Sequence, residues 1–484
     1  MKKNTLTLSL GGLAIIGLAI LTNCTSGTDE KVENIGYSNG SDSPDSLCLV
    51  NPSWFPHAQT PAPEEGIGSP FDASSTTNQI FHQWSWNKFL WLTKPDQGGN
   101  PLFLNQGKVR QVTSHMGSIS VPGGTSVVLQ DTAQAGFASA VLQTNPNYNN
   151  GTGAMVYYSI HMNQTMYAAG LSFASKLKSG KLPAKNVASF PVGSFELKVA
   201  WVPLSAIPAS KQSDYYTTTA SLSTNNGVSF TNTEVALIGM HVVGVVQNHP
   251  EFIWATFEHD DLSPDYDWKA NSASSDSEQL LFKKGTVSGI NGVVYNSSTM
   301  LGQTPNQVFD LFQYGIPRNP NGSFMNTSQQ EPADFQNVDG INQCVKSQLK
   351  DVWANYFYNG SIWLNTDGKT PLQQAQLIDS LSGGIGNASP GSYARGSLNC
   401  ANVTMETFTQ TFETNISQIN VGTLANCFSC HSSQSFTDTN NVSPIYLSHS
   451  FQGYLLDSQG NTFKKTEAIK SKAEQRLLKV MQKK

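Results

Sequence analysis

Five consecutive residues, Cys427-Phe428-Ser429-Cys430-His431, hold the residue types and the spacing that can do chemistry. Two thiols separated by two residues lie on one side of a helical turn, where both can form thioethers with the vinyl groups of a haem. The histidine directly after the second cysteine then presents its imidazole to the iron. Cys427 and Cys430 are therefore read as covalent attachment points and His431 as the proximal iron ligand, for one haem c. A zinc site would need two more ligands at similar spacing, and the sequence has no second Cys pair of this kind. A thioredoxin-like pair would need a strand-to-helix setting, whereas the flanks here are polar and helical.

The second axial position decides what such a haem does. Small electron-transfer cytochromes often use a downstream Met, which raises the potential and closes the iron. Met481 is the only Met after His431 and stands three residues from the last position, which argues against it. The remaining candidates are His449, 18 residues past His431, Met405 ahead of the motif, and His241 or His259 from earlier in the chain. His241 sits in an apolar run, so it reads either as a buried structural histidine or as a residue near the haem. A six-coordinate iron favours electron transfer with a redox partner protein. An open iron would suit a peroxidase-like enzyme or a haem-based sensor. The sequence contains no nucleophilic triad and no glycine loop that would cradle phosphate.

Other parts of the chain say where this chemistry takes place. Lys2 and Lys3 precede an uncharged, largely apolar stretch from Leu6 to Leu21, and Leu21-Thr22-Asn23-Cys24 follows. This pattern resembles a bacterial lipoprotein signal covering residues 1–23, with Cys24 lipidated as the first residue of the exported chain. Thr25 lacks the acidic character associated with inner-membrane retention, so the expected location is the outer membrane, facing the periplasm. Thioether attachment of haem outside the cytoplasm agrees with export. Net charge is −5, yet Lys464 to Lys484 holds eight Lys or Arg against two Glu, which leaves −11 for the rest. An acidic body with a basic tail does not suggest nucleic acid. Of the six Cys, 48, 344 and 400 remain once lipid and haem are assigned. Cys344 and Cys400 are the expected disulfide, because both lie in the segment that should pack around the haem.

Periodicity supplies the elements that must position these residues. Residues 24–75, polar at first and then rich in Pro, read as a flexible tether. Ile80, Phe81, Trp84 and Trp91 recur at near-helical spacing until Pro95 ends the run. Phe195, Leu197, Val199 and Trp201 alternate with Glu196 and Lys198, a half-buried strand with the polar pair outward. Val235 to Val246 and Phe252 to Glu258 read as a hairpin turning at Asn248-His249-Pro250. If Val246 pairs near Phe252, His241 shares a face with Phe257 and His259. Beyond Gly340 the period turns helical, with Ile341, Val345, Leu349, Val352 and Tyr356 on one face. Thr370-Pro371 marks a second helix start, Met405, Phe408 and Phe412 a third helix, and Thr466 to Met481 a last one. The expected fold class is α+β: a mixed strand-rich body over 76–339, then a mainly helical, cytochrome c-like segment over 340–484 with a basic final helix.

Several stretches also resemble a known family. They are His82 to Leu92, Glu196 to Trp201, Gly239 to Val243, Phe252 to His259, Val352 to Tyr356 and Ala401 to Thr407. Together with the Cys-x-x-Cys-His motif they are similar to a largely uncharacterised family of bacterial exported proteins that end in a mono-haem cytochrome c-like segment. Asp260-Asp261-Leu262 departs from that pattern. The resemblance implies an exported haem protein and says little about a substrate.

Overall fold

The computed structural model describes residues 50–73, 80–134, 137–151, 153–182, 188–263, 276–282, 284, 330–366, 368–382, 394–396, 402–406, 427–431, 433–438 and 440–458. The signal and Cys24, Cys48 and Cys400, the tail from Lys464 and the helix expected over 466–481 lie outside the described residues, as does everything between 407 and 426. The chain divides into two units, Met1–Ser46 and Leu47–Lys484, and every described residue belongs to the second.

In chain order the elements are α1 (Ile80–Thr93), β1 (Val109–Val112), β2 (Val127–Leu129), β3 (Ala133–Gln134), β4 (Phe137–Val141), β5 (Tyr157–Asn163) and α2 (Gln164–Lys178). Next come β6 (Phe195–Pro203), β7 (Thr217–Leu222), β8 (Thr231–Val246), β9 (His249–His259) and α3 (Gln330–Gln348). The chain continues with β10 (Tyr356–Leu364), α4 (Pro371–Ser382), β11 (Ala394–Gly396), α5 (Cys427–Cys430) and α6 (His449–Ser458). Nine of the strands form one sheet, in the order β1-β5-β6-β8-β9-β10-β11, with β7 on the early half of β8 and β2 on β7. All neighbours are antiparallel except β2 and β7. The class is α+β, as the periodicity predicts.

One face of the sheet packs on α1. Leu197, Val199, Trp201, Met240, Val242, Ile253, Ala255 and Phe257 meet Phe81, Trp84, Trp86 and Phe89 in the largest core cluster. α1 is buried on nearly every side, so it carries no single apolar stripe and its polar side chains need partners. Ser85 and Thr93 donate back to the carbonyls of Phe81 and Phe89, and Asn87 and Lys94 donate to the carbonyls of Pro61 and Thr60. Lys88 pairs with Glu65 at 2.9 Å. Pro61, Thr60 and Glu65 among these partners fall in the expected tether, which is a correction. From Val50 to Phe71 the chain is a strap tied onto α1, with Val50, Trp54 and Phe71 in the core and His57 bonded to Asp351.

The expected helix through Tyr356 also needs correcting. α3 stops at Gln348, Asp351 caps a short 3-10 turn over Val352–Asn355, and Tyr356 opens β10. β10 pairs along β9 and is buried throughout, so the expected boundary at 339/340 falls inside α3 and the segment beyond it contributes a strand to the same sheet. Helical periodicity over 341–352 and an aromatic run after it cannot be separated by spacing alone. The start of α4 is as expected, with Thr370 and Gln373 bonded reciprocally in a capping box.

The hairpin register is a third correction. Val246 pairs with His249 across a two-residue turn, the pairing shifts at a bulge, and His241 then lies opposite Thr256 and Met240 opposite Phe257. Phe252 in the bulge has φ of 67°, left-handed for a non-glycine residue. That slip turns His241 to the second face, with Trp254, Thr256 and Glu258, and leaves Phe257 and His259 on the other. Among the described residues no helix is long and apolar enough to cross a membrane.

Candidate haem attachment site

α5 is a single helical turn, and the N–H of His431 closes it by donating to the carbonyl of Cys427 at 2.8 Å. A buried aromatic side chain pins this turn. Phe428 between the cysteines is fully buried against the second face of the sheet, among Trp254, Ile362, Leu364, Leu377, Leu447 and Phe451. Cys427 is a free, half-buried thiol at the margin of that cluster. The side chain of Cys430 lies outside what is described.

His431 is held on two sides. Its ring centroid is 4.3 Å from that of Trp254, and its Nδ1–H donates to the Leu447 carbonyl at 2.8 Å. A carbonyl can only accept, so Nδ1 carries the proton and Nε2 keeps a lone pair for a metal. Burial and the neighbouring His449, opposed by the Leu447 carbonyl, hold His431 well below the usual histidine range, so it is neutral as a metal ligand must be. A helical turn bearing a free thiol, an apolar wall and an oriented neutral imidazole fits a covalent haem. Cys427 and Cys430 would hold it by thioethers and His431 by its Nε2.

The candidates for the second axial position separate clearly. His449 opens α6 and stacks on His431, with ring centroids 4.1 Å apart and planes at 22°. A ring stacked face to face on His431 lies beside it, so His449 would hold the group only after moving off that ring. Met405 is fully buried in the third core cluster, with Tyr158, Ala200, Ile238 and Leu262, away from the cluster that holds Phe428. It sits on a turn over 402–406 and not on a helix. His259 lies on the α1 side of the sheet, where its Nε2–H donates to the Asp214 carbonyl and its Nδ1 accepts the Asp261 N–H. Both nitrogens are used, and burial pushes the group down to about 3, which removes it as a candidate. His241 does share the face of His431, but its Nε2 is bonded to Glu406 Oε1 at 2.7 Å. Ligation through Nε2 would break that bond.

Around His241 the structure gathers residues that the strand pattern assigns to solvent. Lys198, His241 and Thr256 are in register across β6, β8 and β9. Glu196 accepts from the hydroxyls of Ser448 and Ser450 at the start of α6, and burial raises it above the usual carboxylate range. Lys198 lies over the Tyr158 ring at 4.5 Å; burial lowers it while Asp131 and Glu406 act against that. The turn over 402–406 is bolted to the same face. Asn402 donates to Thr256 Oγ1 and the Phe257 carbonyl, Tyr158 donates to the Thr404 carbonyl, and the Val403 N–H donates to Glu258. Glu406 Oε2 accepts the Asn402 N–H at 2.8 Å, which aims Oε1 at His241. The sequence does not single out Lys198 and Glu196, because an alternating strand looks the same whether its polar face meets water or a covering segment, nor Glu406, which lies on a turn without periodicity. Cys344 is disulfide-bonded, and the expected partner Cys400 lies outside the described residues. Compared with models of protein families, with curated proteins and with solved structures, the chain matches none.

Proposed function

We propose that this chain is a lipid-anchored c-type cytochrome that passes single electrons to or from a redox partner protein in the bacterial cell envelope. One haem is bound covalently through Cys427 and Cys430 with His431 as proximal ligand, and the segment that carries α5 and α6 supplies the cytochrome c-like part. Cys24 carries the lipid anchor, at the outer membrane facing the periplasm. The observation that carries the reading is the His431 Nδ1–H bond to Leu447, which leaves Nε2 free on a turn that begins with the free thiol of Cys427. When bound, the haem supplies a one-electron couple whose potential depends on axial ligation, burial and nearby charge. Leu447 orients the ligand, Trp254 and Phe428 exclude water from its side of the site, and His449, His241 and Lys198 set the local field.

Acid-acetone extraction followed by haem staining after denaturing electrophoresis tests the assignment on exported protein. Haem should stay with the polypeptide, and Cys427→Ala or Cys430→Ala should weaken or abolish the stain. Quantitative extraction of free haem from the unaltered chain would rule the assignment out.

A further inference from the structure

We propose that the C-terminal end of α2 is the docking surface for an acidic redox protein that exchanges single electrons with the site at His431. This rests on the haem reading and adds to it a place and a chemistry for the partner.

Charge is the first support. The chain as a whole is acidic, at −5, yet the sequence from Thr132 to Phe195 contains no Asp or Glu. Lys176 and Lys178 end α2, and the chain then folds back, so that the N–H groups of Lys181 and Leu182 donate to the Lys176 carbonyl at 2.9 and 3.2 Å. That turn gathers Lys176, Lys178 and Lys181 at one end of the helix. All three are exposed, and none has an ion pair among the described residues. The carbonyl end of a helix offers only about half a negative charge, so three ammonium groups leave a positive surface.

Place is the second. On the inner side of the same turn, Leu177 and Leu182 pack on the cluster that buries Phe428 and borders Cys427. α2 also meets α6, with the Phe173 and Phe451 rings 6.4 Å apart. The Ala188 carbonyl, just beyond the lysines, accepts from Ser443 Oγ at 2.7 Å and from the Ile445 N–H at 3.2 Å. That run ends at the Leu447 carbonyl bonded to His431. The basic end of α2 is thus built onto the segment that carries the candidate haem turn, where a partner must come close for an electron to cross. The two described carboxylates of that segment do not pair with the lysines: Asp438 accepts from Asn440 and Asn441, and Asp457 is bonded to His115.

Several surface charges of one sign steer an oppositely charged partner and speed its association while adding little affinity, which suits a partner that must leave after each electron. A bilayer surface would also engage apolar side chains, and no large one is exposed between Lys176 and Lys181. The chemistry therefore favours an acidic protein.

Stopped-flow oxidation of the reduced, haem-loaded full chain by ferricyanide tests the surface, with this anion standing in for the acidic partner; one electron leaves the chain and ferrocyanide forms. The net charge predicts repulsion and a rate that rises with salt, and a local basic surface predicts the reverse. The second-order rate should fall between about 0.01 and 0.15 M salt, as the Debye length shrinks from about 30 to 8 Å. Lys176→Glu, Lys178→Glu and Lys181→Glu together should lower the low-salt rate about tenfold or more, and the three changes to Gln by less. Tris(phenanthroline)cobalt(III), a cationic oxidant, should reverse that order, which separates steering from a change in driving force. Polyaspartate should slow the ferricyanide reaction of the parent and not that of the Glu variant. A parent rate that rises with salt, or equal rates in parent and both variants, overturns the proposal. So does lysine-dependent binding of the Cys24→Ser chain to vesicles of equimolar phosphatidylglycerol and phosphatidylcholine without competition by polyaspartate, which would assign the surface to lipid. Absence of covalent haem would instead overturn the reading beneath it.

Discussion

Glu258 is a carboxyl group on β9 with almost no contact with water, and it accepts hydrogen bonds from the Val403 N–H and the Asn359 amide. Burial pushes it up to about 8, with the Val403 N–H opposing, the negative charge of Glu406 adding, and Asn359 opposing. The folded chain therefore holds a proton that the unfolded chain releases in the ordinary carboxyl range, near 4.5. Because the folded state binds more protons across that window, stability falls as pH rises and the contribution is lost through about pH 8. Glu258→Gln keeps an acceptor for Val403 and Asn359 and cannot ionise. It should match the parent near pH 4.5 and exceed it at pH 8, by at most roughly 4 kcal/mol at 1.4 kcal/mol per pKa unit. Urea unfolding at the two pH values measures this; equal losses in parent and variant would show that Glu258 is not the group responsible.

The turn over 402–406 depends on β8 giving it room. A Cβ on Gly239 would lie 2.5 Å from Thr404 Oγ1 and 3.1 Å from Asn402 Oδ1, closer than a packed methyl tolerates. Those two side chains are bonded to each other and anchor the turn that carries Glu406. Gly239→Ala should cost about 1–3 kcal/mol in urea unfolding, the usual penalty for overpacking a filled site. Gly123→Ala serves as the control, since nothing lies within 4 Å of its added Cβ. If the two substitutions cost the same, the turn does not press on the sheet as described.

At the scale of the molecule, the strap before α1 closes one side of the core and the C-terminal segment closes the other. The strap's main polar tie is buried: the Lys88 side chain is 3% exposed and Glu65 9%, and Glu65 Oε1 also accepts from the Trp84 indole at 2.7 Å. Glu65→Ala leaves a buried ammonium without its partner, which typically costs about 3–5 kcal/mol. Adding Lys88→Met should recover a large part of that loss, because an apolar side chain suits the Phe195 ring beside it. Thermal or urea unfolding of the single and double variants reads the difference; no recovery in the double variant would mean that the strap is held by other contacts.

Local patterns were enough for the features that depend only on neighbours in the chain. The Cys-x-x-Cys-His turn, the capped start of α4, the buried aromatic helix and the strands of β6, β8 and β9 all follow from spacing, because a helical or extended backbone sets which side chains share a face. Tertiary structure decided what those faces meet. One bulge at Phe252 moved His241 away from His259, since a one-residue slip exchanges the two faces of a strand and no pattern in β9 encodes it. The covering of Glu196 and Lys198, the pairing of His241 with Glu406, 165 residues apart, and the stacking of His449 beside His431 each join distant segments. Contacts of that kind leave no periodic trace in the chain, because they depend on how whole elements pack.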